Sequence, residues 1–118
     1  METTIKKFLV LYRSTISVKE QMKRATPDQM KASMDAWKGW IGKYGAAVVD
    51  MGAPLGDSAL LKGTGGSGHI DGYSIVQAES LGAAKNMFGV HPHFGAPGAP
   101  EAPGASIEIL ELMSMPGM

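Results

Sequence analysis

An α+β domain is predicted by three features of the sequence. Strand-like and helical segments alternate along the chain, the first and last strands carry apolar residues on both faces, and the helices open on recognisable capping signals. The 118 residues fit a single domain spanning 1–118, a size that hides about two-thirds of the unfolded surface.

The first strand is "IKKFLVLY", residues 5–12, rich in β-branched and aromatic side chains. Ile5, Leu9 and Leu11 point one way and Phe8, Val10 and Tyr12 the other, so both faces require cover. Residues 17–25 open on a Ser-x-x-Glu capping box (Ser17, Glu20) and read as a short helix. A second start follows in "TPDQ", where Thr26 caps, Pro27 suits the first helical position and Gln29 reaches back to the cap. This helix runs to about Tyr44, with Gly45 as its stop. Met30, Met34, Trp37, Ile41 and Tyr44 form one stripe at helical spacing, which is read as core, with Trp40 more exposed than Trp37 by phase.

Residues 46–51, "AAVVDM", are the second strand, ended by Gly52 and Pro54, and 58–62 are a short strand or hairpin arm. "GTGGSG", residues 63–68, satisfies G-x-G-x-x-G, but a strand pattern follows where a dinucleotide site needs a helix. A hairpin tip is the better reading. The third strand covers 70–78, with Ile70, Val76 and Ala78 on one face and Tyr73 and Ile75 on the other. Ser80 caps a helix whose Leu81, Ala84 and Phe88 make its apolar stripe, ended by Gly89 and Pro92. Residues 95–104 are a Pro/Gly/Ala loop with nothing to bury, expected to be mobile. The last strand is 106–113.

The order strand, helix, strand, strand, helix, strand is that of a ferredoxin-like βαββαβ antiparallel sheet with two helices on one face. Those helices leave the second apolar face open, and a second copy packed sheet to sheet is its simplest cover. A homodimer forming an α/β barrel is therefore expected, with a small-molecule cleft between sheet and helices.

Charge and composition narrow the function. Eleven basic and eleven acidic side chains cancel, so nothing draws the chain to nucleic acid. Cysteine is absent, which removes disulfides, thiolate ligands and a cysteine nucleophile. The apolar run Phe8 to Tyr12 is too short for a leader or a membrane span, so a cytoplasmic protein without a membrane partner is expected. Ser58, Ser67 and Ser74 lack the G-x-S-x-G elbow of a serine hydrolase.

The chemistry-bearing motif is "GVHPHF", residues 89–94. The residue before Pro92 is pushed to an extended backbone, which sets His91 and His93 toward one side. Three readings stay open for them. They begin a metal site, with His69 and carboxylates completing it. One of them does acid–base work. Or one caps the preceding helix as a cation and the other lies on the surface. Arg13, beside Tyr12 at the end of the first strand, either holds a carboxylate or is solvated. Asp50 either orients a histidine or starts the turn before Gly52. His69 and Asp71 are either a lid beside the Gly-rich tip or polar strand ends.

"KKFLVLYR", "DAWKGWIGKYGAAVVDMGAPL", "DGYSIVQAESLGAAKNMF" and "HPHF" together resemble the YCII-related (DGPF-type) family. The resemblance spans most of the chain apart from the Gly-rich tip and the 95–104 loop. It implies a small dimeric α/β-barrel protein, in some members an enzyme with a histidine at the start of the first long helix near an aspartate after the second. Those positions fall at Gln29 and at or beside His91, and "GHIDGY" stands where "DGPF" would. With the residues read above, the candidate site is a ligand cleft with His91 as the candidate catalytic residue and Tyr12, Arg13, Gln29, Asp50, His69 and His93 around it, and no cofactor or metal is expected. Two functions follow: cofactor-free acid–base chemistry on a small organic ligand, or a non-catalytic dimeric binding module that has lost the His–Asp pair.

Overall fold

β1 (Lys6–Ser14) lies inside the sheet, as its two apolar faces require, pairing antiparallel with β3 (His69–Ala78) on one side and β4 (Ser106–Glu111) on the other. The short β2 (Val48–Asp50) adds to the outer edge of β3, giving four antiparallel strands in the order β2-β3-β1-β4, compatible with a ferredoxin-like fold. The computed structural model describes residues 4–66 and 68–117.

Helices α1 (Val18–Arg24), α2 (Pro27–Tyr44) and α3 (Leu81–Asn86) lie against one face. Their start signals work as read. Thr26 and Gln29 form the full reciprocal capping box of α2, and Ser80 caps α3. Ser17 accepts the Glu20 N–H at α1, but the Glu20 side chain pairs with Arg24 and leaves that box half made.

The covered face buries Phe8, Val10, Tyr12 and Val76 beneath Trp40, Ala84, Met87 and Phe88, with Ile107 and Ile109 of β4 at the margin. Several expectations fail in instructive ways. Of the predicted α2 stripe, Trp37, Ile41 and Tyr44 do pack against the core, but Met30 and Met34 do not, and Trp40 joins the buried face instead. Trp40 is only 6 % exposed because its indole N–H reaches the Met87 carbonyl (3.0 Å), whereas Met30 and Met34 are exposed. Leu81 is likewise exposed, leaving Ala84, Met87 and Phe88 as the packed face after Ser80. α2 does end at Tyr44 with Gly45 as its C-cap, but Gly45 stays right-handed and starts a 3-10 turn, Gly45–Ala47, that shortens the expected second strand.

Residues 58–62 form no strand, and Leu60 and Leu61 stand in solvent. After Gly68 comes β3 and not a helix, as the hairpin-tip reading requires. Within β3 the register slips between Tyr12 and Arg13, where Asp71 is the extra residue of a bulge. That slip turns Ile70 onto the open face beside Arg13, away from Val76. The 95–104 loop is tied down rather than free. Ala96 and Ala99 exchange backbone hydrogen bonds, Ala102 donates to His93, and Pro103 accepts from Thr15.

No helix among the described residues lies on the opposite sheet face. Rows Leu110–Leu9–Ile75 and Glu108–Leu11–Tyr73 cross three strands on it. The molecule is a slab of 50 × 40 × 19 Å with a radius of gyration of 15.6 Å, against about 13.5 Å for a compact domain of this length.

Candidate functional site

Polarity rises along the covered face of β1. Its inward positions read Phe8, Val10, Tyr12, Ser14, and β3 answers with Val76, Ser74 and, at the bulge, Asp71. The apolar end is core; the polar end is closed by α1 and by the turn after α3. Three of the seven candidate residues, Tyr12, His91 and His93, meet there.

His91 leaves α3 in an extended conformation, as its place before proline dictates, and Pro92–Phe94 form a 3-10 turn. His91 Nδ1 accepts the backbone N–H of His93 (3.0 Å) and so caps that turn. Its neutral ring therefore carries the proton on Nε2. The ring is enclosed: Tyr12 stacks at 5.0 Å, Trp37 and Trp40 stand edge-on at 4.4 and 4.7 Å, and Phe88 lies at 5.4 Å. His91 is 0 % exposed, and Nε2 has no hydrogen-bond partner among the described residues. Burial, aided by His93, pushes the imidazolium pKa down to about 3. The reading of a histidine cation on the helix dipole is thus corrected: His91 is neutral and caps the next turn through Nδ1.

His93 is not on the surface either. It is 8 % exposed, with Nε2 donating to the Arg13 carbonyl (2.8 Å) and its ring 5.6 Å from Tyr12. The two histidines do meet, on either side of one tyrosine, but each has committed a nitrogen to the backbone. Among the described residues no three histidine, cysteine or carboxylate side chains gather as a ligand set. The Tyr12 hydroxyl donates to Ser74 Oγ (3.0 Å), which donates to the Met51 carbonyl (2.8 Å). Burial pushes the Tyr12 phenol up to about 12, against the smaller pull of Ser74, so it stays protonated at neutral pH.

The remaining candidates lie elsewhere. Gln29 is spent on the Thr26 cap, and Arg13 forks onto Glu108 on the open face. Asp50 accepts the Gly52 N–H (2.8 Å) and starts the turn, the structural one of its two readings. His69 is exposed at the start of β3 and lines a groove of about 270 Å³ between α1 and residues 55–58. A second groove, about 250 Å³, runs between α2 and residues 90–96. Neither groove is walled by Tyr12, His91 or His93. Ser67 lies outside the described residues.

Sequence reasoning missed a polar knot at the end of β1. Ser14 Oγ lies 2.8 Å from Asp71 Oδ1 and 2.7 Å from the Ile16 carbonyl, and Gln21 Nε2 donates to Ser14, Ile16 and Asp71. None of the ion pairs among the described residues includes Asp71, although it is buried. Serine at a covered position of an otherwise apolar strand was the available signal. No family model matches the chain, and no curated protein matches it. No helix among the described residues is long and apolar enough to cross a membrane.

Proposed function

We propose that this chain is a non-catalytic binding module of the YCII-like type, working as a homodimer joined sheet to sheet, of the two functions the sequence allows. The observation that carries it is the enclosure of His91. A general acid or base must reach the proton it moves and hold a pKa near the working pH. His91 meets neither condition, with its ring sealed by four aromatic side chains and its pKa pushed down to about 3. Gln29 offers no replacement base, and His93 is held by the Arg13 carbonyl. "HPHF" then serves to lock the turn after α3 onto β1.

Support for the dimer comes from surface. The chain exposes 8269 Å², where a compact monomer of 12.4 kDa exposes about 6,100 Å². The excess, about 2,100 Å², exceeds the roughly 800 Å² that one partner buries in an ordinary stable interface. The apolar rows through Leu9, Leu11, Tyr73 and Ile75 are where that area would go.

Two measurements test the reading. In an NMR pH titration of the three imidazoles, His91 is expected to stay neutral from pH 8 to pH 5, with or without zinc. A His91 midpoint near neutrality would restore acid–base chemistry. Sedimentation equilibrium is expected to give a dimer at micromolar concentration and a monomer for Leu9→Asp; a monomeric wild type sinks the assembly.

A further inference from the structure

The groove between α2 and residues 90–96 has features that the packing of the chain does not require. Its walls are Trp40 and Tyr44 on one side and Pro92 on the other, and its floor is Ala36 and Gly39. Trp40 is fixed by its bond to the Met87 carbonyl, and its ring lies 5.2 Å from that of Tyr44. Gly39 sits mid-helix, where glycine costs about 1 kcal/mol relative to alanine. No described residue comes within 4 Å of where a Cβ would stand. Gly39 is exposed, so this side of the groove is open.

Charge says what kind of molecule. Lys43 is the charged side chain lining the groove, and it has no carboxylate within ion-pair distance among the described residues. Its Nζ lies 5.3 Å from the centre of the Tyr44 ring, at the edge of the aromatic wall. A lone lysine balances one negative charge, as a carboxylate carries, whereas a phosphate monoester carries about 1.5–2 at pH 7. The volume of about 250 Å³ falls below the roughly 300–1,000 Å³ of pockets for drug-sized ligands. From these features we infer that the groove binds a small single-ring carboxylic acid, with its ring against Trp40 and Tyr44 and its carboxylate on Lys43. This site lies in the helix layer, away from the open sheet face, so it stands or falls separately from the dimer.

Benzoate is the probe, followed by two-dimensional amide NMR on the full chain, with benzyl alcohol as its uncharged counterpart. Saturable shifts are expected at the Trp40 indole N–H and the Gly39 amide. Benzyl alcohol should bind at least fivefold more weakly than benzoate. Lys43→Met, which keeps the side-chain stem, should weaken benzoate at least fivefold, and Gly39→Leu should abolish it while leaving the circular dichroism unchanged. If Gly39→Leu fails to fold, Ala36→Leu fills the same floor. No saturable shift, equal affinity for benzyl alcohol, or indifference to Lys43→Met overturns the inference. So do shifts at these groups that follow protein concentration alone, which would mean that a second copy covers the groove.

Discussion

Because Tyr12, Trp37, Trp40 and Phe88 enclose the His91 ring, unfolding is the route by which it gains a proton. The folded pKa, about 3, lies below the ordinary 6.5. Above pH 6.5 both states are neutral and the contribution is complete. As the pH falls from 6.5 toward 3, only the unfolded state protonates, and stability drops by about 1.4 kcal/mol per pH unit. Urea midpoints measured from pH 7.5 to pH 4 are expected to show this slope, and His91→Phe is expected to flatten the His91 share of it. His91→Ala, which leaves the cage empty, should cost about 2–4 kcal/mol at pH 7.5 by the same assay. At this scale the sequence is half legible. The proline after His91 announces an extended backbone, yet nothing local tells that the rings closing on it come from β1, α2 and the end of α3.

Helix starts are written within four residues, so they can be read directly; helix faces depend on where neighbours sit. Thr26, Pro27 and Gln29 therefore announce α2 in full, while the stripe holds at Trp37, Ile41 and Tyr44 but fails at Met30 and Met34 and omits Trp40. Trp40 is drawn inward by a carbonyl at Met87, distant in sequence, and the methionines extend past what the sheet covers. The bulge at Asp71 is equally hidden, because one added residue leaves no trace in composition while reversing the face of Ile70. Two glycine substitutions separate local from tertiary demands. At Gly52, φ is +75° and a Cβ would stand 1.6 Å from the Tyr73 carbonyl oxygen. Gly52→Ala should thus lose more than about 2 kcal/mol. Gly42, inside α2 with open space around it, should gain about 0.5–1 kcal/mol on changing to alanine. Thermal melts of both variants check the opposite signs.

For the whole molecule, the two-faced pattern of β1 is the most informative signal in the chain, since a period of two assigns every residue to one side of the strand. It points to four antiparallel strands with one face covered, and to a second face that the helices do not reach. If that face is buried against a second copy, dissociation and unfolding are linked, and the melting temperature must rise with protein concentration. A hundredfold increase in concentration is expected to raise it by several degrees, and a Leu9→Asp variant should lose that dependence. A constant melting temperature for the wild type would mean that the slab is stable alone.

Between β2 and β3, neighbours that a tight hairpin could join, the chain takes the detour 51–68. Its near end is pinned: Ala53 accepts from Tyr73, Leu55 donates to Asp71, and Lys19 pairs with Asp57. Beyond that, residues 58–66 are exposed and form no helix or strand. A protease should therefore find this stretch first, yet the cut ends belong to halves that need each other. One keeps β1, α1, α2 and β2, the other β3, α3 and β4, and the long β1–β3 ladder joins them. Nicked protein should migrate as two bands in denaturing gels and as one particle in native ones. Separately expressed halves should find each other, making this connection the natural seam for a split version of the fold.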